Sequence, residues 1–158
     1  MTEKKIRVLF VDDEENNLFS FKAVFRLKFI VYTAISADSA LKILDEHPDI
    51  HVVITDQRMP EITGVEFLQI LVDKHPNPVR VMLTGYANLG DTIDAVNKGK
   101  IFHYLNKPWK EEELESTILR AYEKYTSEIE TKIRAERTEM AERTADQMEF
   151  LLRQKLLS

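Results

Sequence analysis

Residues 51–56 read HVVITD, an apolar run that ends in the carboxylate of Asp56. Met59, Pro60 and Gly64 follow, which indicates a turn after the run. A short apolar run bounded by turn residues is typical of a buried β-strand. Because Asp56 stands at the C-terminal end of this strand, we expect its carboxylate to face the sheet edge where open α/β folds bind ligands.

Three further apolar runs end in polar side chains that could share that edge. These runs and the residues after them are Ile6–Val11 with Asp12 and Asp13, Val79–Leu83 with Thr84, and Phe102–Leu105 with Lys107 and Pro108. In a parallel sheet the C-terminal ends of all strands lie on one side. The sequence therefore predicts that three acids, one hydroxyl and one lysine converge.

Short β-rich runs alternate with amphipathic stretches over about the first 110 residues. The remaining strand candidates are Ile30–Ala34 and Val52–Thr55, and the helix candidates are Leu18–Leu27, Ala37–Glu46, Val65–Lys74 and Asn88–Asn97. Asp38 and Asn88 are expected to start helices, and Gly99 to end one. This alternation predicts an α/β fold, a doubly wound five-stranded parallel sheet.

The chain changes character after Pro108, because no proline or glycine occurs from Trp109 to Ser158. A helix over Glu111–Leu157 would be about 70 Å long, too long to pack only on one small domain. Apolar residues at heptad-like spacing indicate a coiled-coil seam with a polar middle. The seam residues are Tyr122, Tyr125, Ile129, Met148 and Leu151, with a second register through Ile133 and Met140. We expect these residues to have no partner on their own globular domain.

Composition excludes several function classes. The 158 residues carry a net charge of −5, and the segment after Lys110 carries −4, so no basic surface for nucleic acid is expected. The absence of cysteine excludes disulfides and thiolate chemistry. No apolar stretch has bilayer length, so we expect a cytoplasmic protein without a membrane partner.

The strand-end residues resemble the response regulator receiver domain of two-component signalling. Asp12-Asp13, Asp56, Thr84 and Lys107-Pro108 match that family in order and in position. The resemblance implies strand order 2-1-3-4-5, a flavodoxin-like sheet, and a receiver over residues 1–122. From the helical pattern after Pro108 we expect a coiled-coil helix over 123–158. The run from Gly99 to Trp109, GKIFHYLNKPW, resembles receivers attached to nucleotide cyclases, HD-GYP phosphodiesterases or serine/threonine phosphatases.

The resemblance also implies the role of each site residue. Asp56 is the phosphoacceptor, and Lys107 and Thr84 bind phosphoryl oxygens. The Mg²⁺ ligands are Asp13, Asp56 and the carbonyl of Arg58, while Asp12 orients a metal-bound water. Thr84 and Tyr104 are the switch residues, although a half-buried strand aromatic explains Tyr104 almost as well. A cis peptide bond is expected before Pro108.

Two alternatives come from other classes of protein. One is a Mg²⁺-dependent aspartyl-phosphate phosphatase of haloacid dehalogenase type, which needs an Asp-x-Asp pair on the first strand. Here the first strand offers adjacent Asp12 and Asp13, whose side chains are expected to diverge, and Asp56 lies on the third strand. The other is an inert receiver that serves as a coiled-coil adaptor, against which the complete set of acids argues.

We therefore expect a response regulator receiver that is not an enzyme beyond its own phosphorylation and dephosphorylation. A histidine kinase or a phosphotransfer protein would donate the phosphoryl group to Asp56, with Mg²⁺ as cofactor. The C-terminal helix would form a homodimer and control an output, without direct contact to nucleic acid. Because the helical pattern runs to Leu157 without a stop signal, we expect a longer regulator with an output domain.

Overall fold

The computed structural model describes residues 5–85 and 100–157. Its strands are β1 (Arg7–Val11), β2 (Ile30–Ala34), β3 (Val52–Asp56), β4 (Val79–Thr84) and β5 (His103–Asn106). Its helices are α1 (Glu15–Phe25), α2 (Ala37–Glu46), α3 (Gly64–Lys74) and α4 (Glu111–Leu157). The predicted helix over Asn88–Asn97, with its start at Asn88 and its stop at Gly99, lies outside the described residues.

Within the described ranges, five parallel strands form one sheet in the order β2-β1-β3-β4-β5. The predicted fold class and strand order are confirmed. The predicted strand limits hold to within one residue, and the main difference is that Asp56 and Thr84 belong to their strands. The central strands β1, β3 and β4 are buried along almost their whole length, as expected where helices cover both faces of a parallel sheet.

Capping residues set the starts of two helices that follow the sheet. Ser36 caps α2 and Thr63 caps α3, each through a reciprocal capping box with the residue three positions later. The prediction that Asp38 starts α2 is wrong by two residues. Asp38 lies instead in the first turn, where its carboxylate complements the helix dipole.

Alternate residues of each central strand point into two separate apolar cores. Val8 and Phe10 belong to the core that contains side chains of α1 and of the first turns of α4, including Phe21, Phe25, Leu114 and Ile118. Leu9 and Val11 belong to the core that contains side chains of α2 and α3, including Leu44, Phe67, Leu68 and Leu71. The sheet is therefore packed on both faces, and Asp12 and Asp56 lie at the edge formed by the C-terminal ends of its strands.

The chain forms two compact units, Met1–Tyr125 and Thr126–Ser158. In the first unit, the rings of Tyr122 and Tyr125 stand edge-on to the imidazole of His51, with centroids 5.0 and 4.8 Å away. The expectation that these two tyrosines have no partner on their own domain is therefore wrong. Both belong to the first turns of α4, which pack against the sheet.

The second unit is a stretch of helix with exposed apolar side chains at heptad-like spacing. These side chains are Ile133, Met140, Met148, Leu151 and Leu152, each exposed over at least two-fifths of its surface. Glu139–Arg143 and Glu149–Arg153 ion pairs, both 2.6 Å, join successive turns. Among the helices within residues 5–85 and 100–157, none has an apolar stretch sufficient to span a lipid bilayer.

Candidate functional site

Three carboxylates meet at the C-terminal edge of the sheet. Asp12 and Asp13 follow the last residue of β1, and Asp56 is the last residue of the neighbouring β3. Each of the three offers a carboxylate oxygen, and these oxygens lie within 4.8 Å of one another. Asp12 is fully buried, and Asp56 is only 7% exposed. The structure thus brings together the acids that the sequence places at two separate strand ends.

The expected divergence of the Asp12 and Asp13 side chains is wrong. Alternation between the two faces of a sheet holds within a strand, but β1 ends at Val11, so both acids lie in the turn beyond it. In that turn, a carboxylate oxygen of Asp12 lies within 4.8 Å of one of Asp13. Two arguments against a phosphatase of haloacid dehalogenase type remain: Asp12 and Asp13 are adjacent and do not form an Asp-x-Asp pair, and Asp56 belongs to β3.

Lys107 brings a positive charge against two of these acids. Its Nζ lies 3.2 Å from Asp56 Oδ2 and 3.4 Å from Asp12 Oδ2. The backbone amide of Lys107 donates to the carbonyl of Thr84 at 2.8 Å, which ties the lysine to the end of β4. The peptide bond between Lys107 and Pro108 is cis, as expected.

Electrostatics adjust the ionisation of both partners. Burial raises the pKa of Asp56 above its ordinary value, and the negative charge of Asp12 adds to this rise. Lys107 and a hydrogen bond from the Arg58 backbone oppose it without cancelling it. Burial lowers the pKa of Lys107, but Asp12 and Asp56 outweigh it and leave that pKa raised. Lys107 therefore stays an ammonium at neutral pH beside a carboxylate whose ionisation is costly in the folded state.

Thr84 and Tyr104 occupy different parts of the site region. Thr84 is the last residue of β4 and is buried, one position beyond the residue paired with Asp56. Tyr104 lies two positions back from this edge, paired with Met82, and its half-buried ring packs on the core beneath α2 and α3. Thr84 thus ends the strand next to the one that ends in Asp56, while Tyr104 lies on β5, one strand farther from the acids.

Two residues near the acids have roles that the sequence did not reveal. The side-chain amide of Asn17 donates to Asp12 Oδ2 at 3.1 Å. Gly64 donates its amide to the carbonyl of Gln57 at 2.9 Å, and a Cβ on Gly64 would overlap the carbonyl oxygen of Asp56. Two features of the sequence could have indicated these roles. Asn17 is an amide shortly after the Asp12-Asp13 pair, and Gly64 is a glycine shortly after Asp56.

The residues present fit a magnesium ion. Mg²⁺ prefers oxygen ligands, and the three acids supply carboxylate oxygens that lie within 4.8 Å of one another. Three carboxylates outnumber the Lys107 ammonium that contacts two of them, so a divalent cation would balance the local charge. Arg58 follows Asp56 closely enough for its backbone to contact the same carboxylate.

Comparison with known proteins places this geometry in a family. The profile of the response regulator receiver domain matches residues 8–119. The hydrogenase transcriptional regulatory protein HoxA of Cupriavidus necator is 38% identical over 123 residues, which are 78% of this chain and 25% of HoxA. The chain thus spans about a quarter of the length of the HoxA proteins it matches.

Solved structures with the same fold include two receiver domains. The signal receiver domain of an HD domain-containing protein from Pseudomonas fluorescens Pf-5 superposes with a TM-score of 0.76 at 28% identity, covering 82% of this chain and 96% of that one. The beryllofluoride-activated NtrC4 receiver domain dimer gives 0.69 at 32% identity, covering 75% and 98%. With its sheet order, its strand-end acids and a profile match over most of its length, this chain belongs to the response regulator receiver domain family.

Proposed function

We propose that Asp56 accepts a phosphoryl group from a phosphohistidine of a histidine kinase or phosphotransfer protein. The observation that carries this proposal is the position of the Asp56 carboxylate, 3.2 Å from the Lys107 ammonium and beside the carboxylates of Asp12 and Asp13. A carboxylate held between a cation and a site for a second cation can approach a phosphoryl dianion, because its charge is balanced.

The chemical step is a transfer between two nucleophiles. An oxygen of Asp56 attacks the phosphorus atom, the bond between phosphorus and the donor's imidazole nitrogen breaks, and its electron pair stays on that nitrogen. The product is an acyl phosphate on Asp56. Lys107 contacts one phosphoryl oxygen as a point charge, and Thr84 donates its hydroxyl to another.

Mg²⁺ is the proposed cofactor, and it supplies charge neutralisation for the transferring group. Asp13, Asp56 and the backbone carbonyl of Arg58 would hold it, and Asp12 would orient a bound water. The approach of all three carboxylates supports this assignment. The role of this chain's own residues is to fix those oxygens before the donor arrives.

We propose no catalytic turnover of other substrates. On this proposal, Asp56 accepts and releases its own phosphoryl group, and Mg²⁺-dependent hydrolysis of an added phosphomonoester is the outcome that would favour a phosphatase instead. The location of Asp56 on β3 rather than β1 supports the receiver. Histidine kinases deliver phosphoryl groups in the cytoplasm, so we propose that this chain acts there.

The proposed output passes through Thr84, Tyr104 and α4. Phosphorylation would draw Thr84 and Tyr104 inward and bias how the helical segment after the receiver associates. Exposed Met140 and Met148 on that segment support association with a second copy. NtrC4, a structural relative, is a receiver domain dimer in its beryllofluoride-activated form. We assign residues 1–122 to the receiver and 123–158 to a homodimeric coiled coil.

The test is phosphorylation by a small-molecule donor. The full chain is incubated with acetyl phosphate and Mg²⁺, and intact mass spectrometry measures the stoichiometry. We expect one phosphoryl group on the wild-type chain, none on Asp56→Asn, and one on Asp73→Asn, whose exposed carboxylate lies on α3. Stoichiometric phosphorylation of Asp56→Asn at the wild-type rate would contradict the assignment.

A further inference from the structure

Two side chains donate to one oxygen of the buried Asp12. The Asn17 amide nitrogen lies 3.1 Å from Asp12 Oδ2, and Lys107 Nζ lies 3.4 Å from the same atom. The other oxygen, Oδ1, accepts the backbone amide of Glu14 at 2.9 Å. Asp12 is therefore held at both oxygens by donors from the start of α1, and the lysine is its most distant partner.

Asn17 can donate to two acids at once, which fixes its orientation. The same amide nitrogen also lies 3.3 Å from Glu14 Oε2. One amide group carries two hydrogens, so one can serve Asp12 and the other Glu14. Asn17 lies in the first turn of α1, where the helix backbone fixes its Cα relative to the turn that carries Asp12.

Lys107 has two competing acceptors. Its Nζ lies closer to Asp56 Oδ2, at 3.2 Å, than to Asp12 Oδ2, at 3.4 Å. Asp12 is a buried carboxylate that requires donors at both oxygens. Without the Asn17 amide, Lys107 is the side-chain donor that remains for Oδ2 within residues 5–85 and 100–157, and closer contact with Asp12 would draw the ammonium away from Asp56.

We propose that Asn17 is a positioning residue that satisfies Asp12 and thereby leaves Lys107 available to Asp56. The proposal rests on the proposed function of Asp56 as the phosphoryl acceptor, and it assigns the start of α1 a part in that reaction. Asn17 contacts none of the reacting atoms and acts through the shared oxygen of Asp12.

The chain supplies a matched control in the preceding residue. Asn16 is the same residue type in the same helical turn, but its side chain is exposed. The test compares Asn17→Ala with Asn16→Ala and with Asn17→Gln, which keeps an amide donor on a longer stem. The variants are compared by acetyl phosphate labelling, by thermal unfolding, and by the ¹H–¹⁵N resonance of the Lys107 ammonium in the metal-free, unphosphorylated chain.

We expect Asn17→Ala to be phosphorylated ~tenfold more slowly than wild type, the usual scale for losing one hydrogen bond to a charged group. Its Lys107 resonance should shift, Asn17→Gln should recover most of the rate, and Asn16→Ala should match wild type. Equal rates and equal Lys107 resonances in the two alanine variants would overturn the proposal. A slower Asn17→Ala that also melts lower, with no recovery in Asn17→Gln, would show a merely structural role and overturn it too.

The resonance measurement separates this proposal from the proposed function. It needs no phosphoryl transfer, so it reports the position of Lys107 even in a chain that takes up no phosphate. Suppose that the Lys107 resonance shifts in Asn17→Ala but not in Asn16→Ala, and that acetyl phosphate does not label the wild-type chain. The contact with Asp12 would then be supported, but phosphoryl acceptance and the part assigned to Asn17 in it would both be overturned. Labelled wild type with no shift and no rate loss in Asn17→Ala would overturn the role of Asn17 alone.

Discussion

Gly64 lies against the carbonyl oxygen of Asp56 so closely that a methyl group on its Cα would overlap that oxygen. The Gly64 amide donates to the carbonyl of Gln57 at 2.9 Å, which joins the first residue of α3 to the residue after β3. The backbone that carries the Asp56 carboxylate therefore lies directly against the start of α3, with no room for a side chain at Gly64.

We expect Gly64→Ala to displace the backbone at Asp56. The free energy of unfolding should fall by about 1–3 kcal/mol, the range for inserting a group into a packed site, and phosphorylation should slow. Urea unfolding measures the first effect and acetyl phosphate labelling the second. Gly85→Ala is the stability control, because a Cβ there meets no described atom within 4 Å. Equal losses of stability in the two variants would contradict the steric explanation.

The raised pKa of Asp56 predicts a pH-dependent stability. The folded chain keeps the Asp56 proton to a higher pH than the unfolded chain does, because burial raises this pKa above its ordinary value of 3.8. As pH rises from the unfolded value through the folded value, ionisation therefore removes stability. In EDTA, we expect Asp56→Asn to unfold at higher temperature than wild type at pH 7, with the difference closing below pH 3.8. A wild type as stable as Asp56→Asn at pH 7 would contradict this sign.

The position of Asp13 in the acid cluster predicts that its removal weakens Mg²⁺ binding. Asp13→Ala removes a carboxylate from the cluster of three, so Mg²⁺ affinity should fall by at least about tenfold while the fold persists. Titration followed by fluorescence of Trp109, the only tryptophan, measures the affinity. Glu15→Ala removes an exposed acid from the first turn of α1 and should leave the titration unchanged. Unchanged affinity in Asp13→Ala would remove Asp13 from the ligand set.

The ring contacts of Trp109 predict that its removal destabilises the loop that carries Lys107. Its ring lies 5.8 Å from that of Phe25 and 6.2 Å from that of Phe21, which stacks on Phe10 of β1 at 4.3 Å. Trp109→Ala should lower the free energy of unfolding by about 2–3 kcal/mol, less than for a fully buried ring. Phe19→Ala, in which 77% of the side chain is exposed, should change it by less than about 0.5 kcal/mol. Chemical denaturation of both variants decides between a packed and a peripheral Trp109.

The exposed helical seam predicts association beyond the receiver. We expect a parallel dimer, so the full chain should sediment as a dimer. A chain ending at Thr126 should sediment as a monomer, because it keeps Tyr125 on His51 but loses the seam. Met148→Glu should weaken the dimer, whereas Ala135→Glu, on the exposed face opposite the seam, should not. Monomers for both lengths, with and without beryllofluoride, would make the helix a passive linker.

The sequence predicted the sheet because its central strands are apolar on both faces, which few other structures require. It also predicted that the ends of β1, β3 and β4 share an edge, since parallel strands leave no alternative. It could not predict the direction of Asp13, which depends on where β1 stops. It misread Tyr122 and Tyr125 because a spacing of three or four residues serves a helix on its own sheet as well as a coiled coil.

Asn17 and Ser36 were missed for a related reason. Each makes a hydrogen bond whose partner is set by the path of a turn, Asp12 for the first and the amide of Ser39 for the second. Neither contact leaves a periodic trace in the sequence. Asp38 was expected to start α2, but the reciprocal capping box between Ser36 and Ser39 decides where that helix begins.

The two apolar cores stop short of the edge that carries Asp12, Asp13, Asp56 and Lys107. If Asp56 accepts a phosphoryl group as proposed, substitutions on the rim of the sheet can alter how long the acyl phosphate lasts without opening either face. Selection can set the duration of a signal in this molecule separately from its resistance to unfolding. In a receiver built in this way, the lifetime of the response can change through edge substitutions while the two apolar cores keep the same residues.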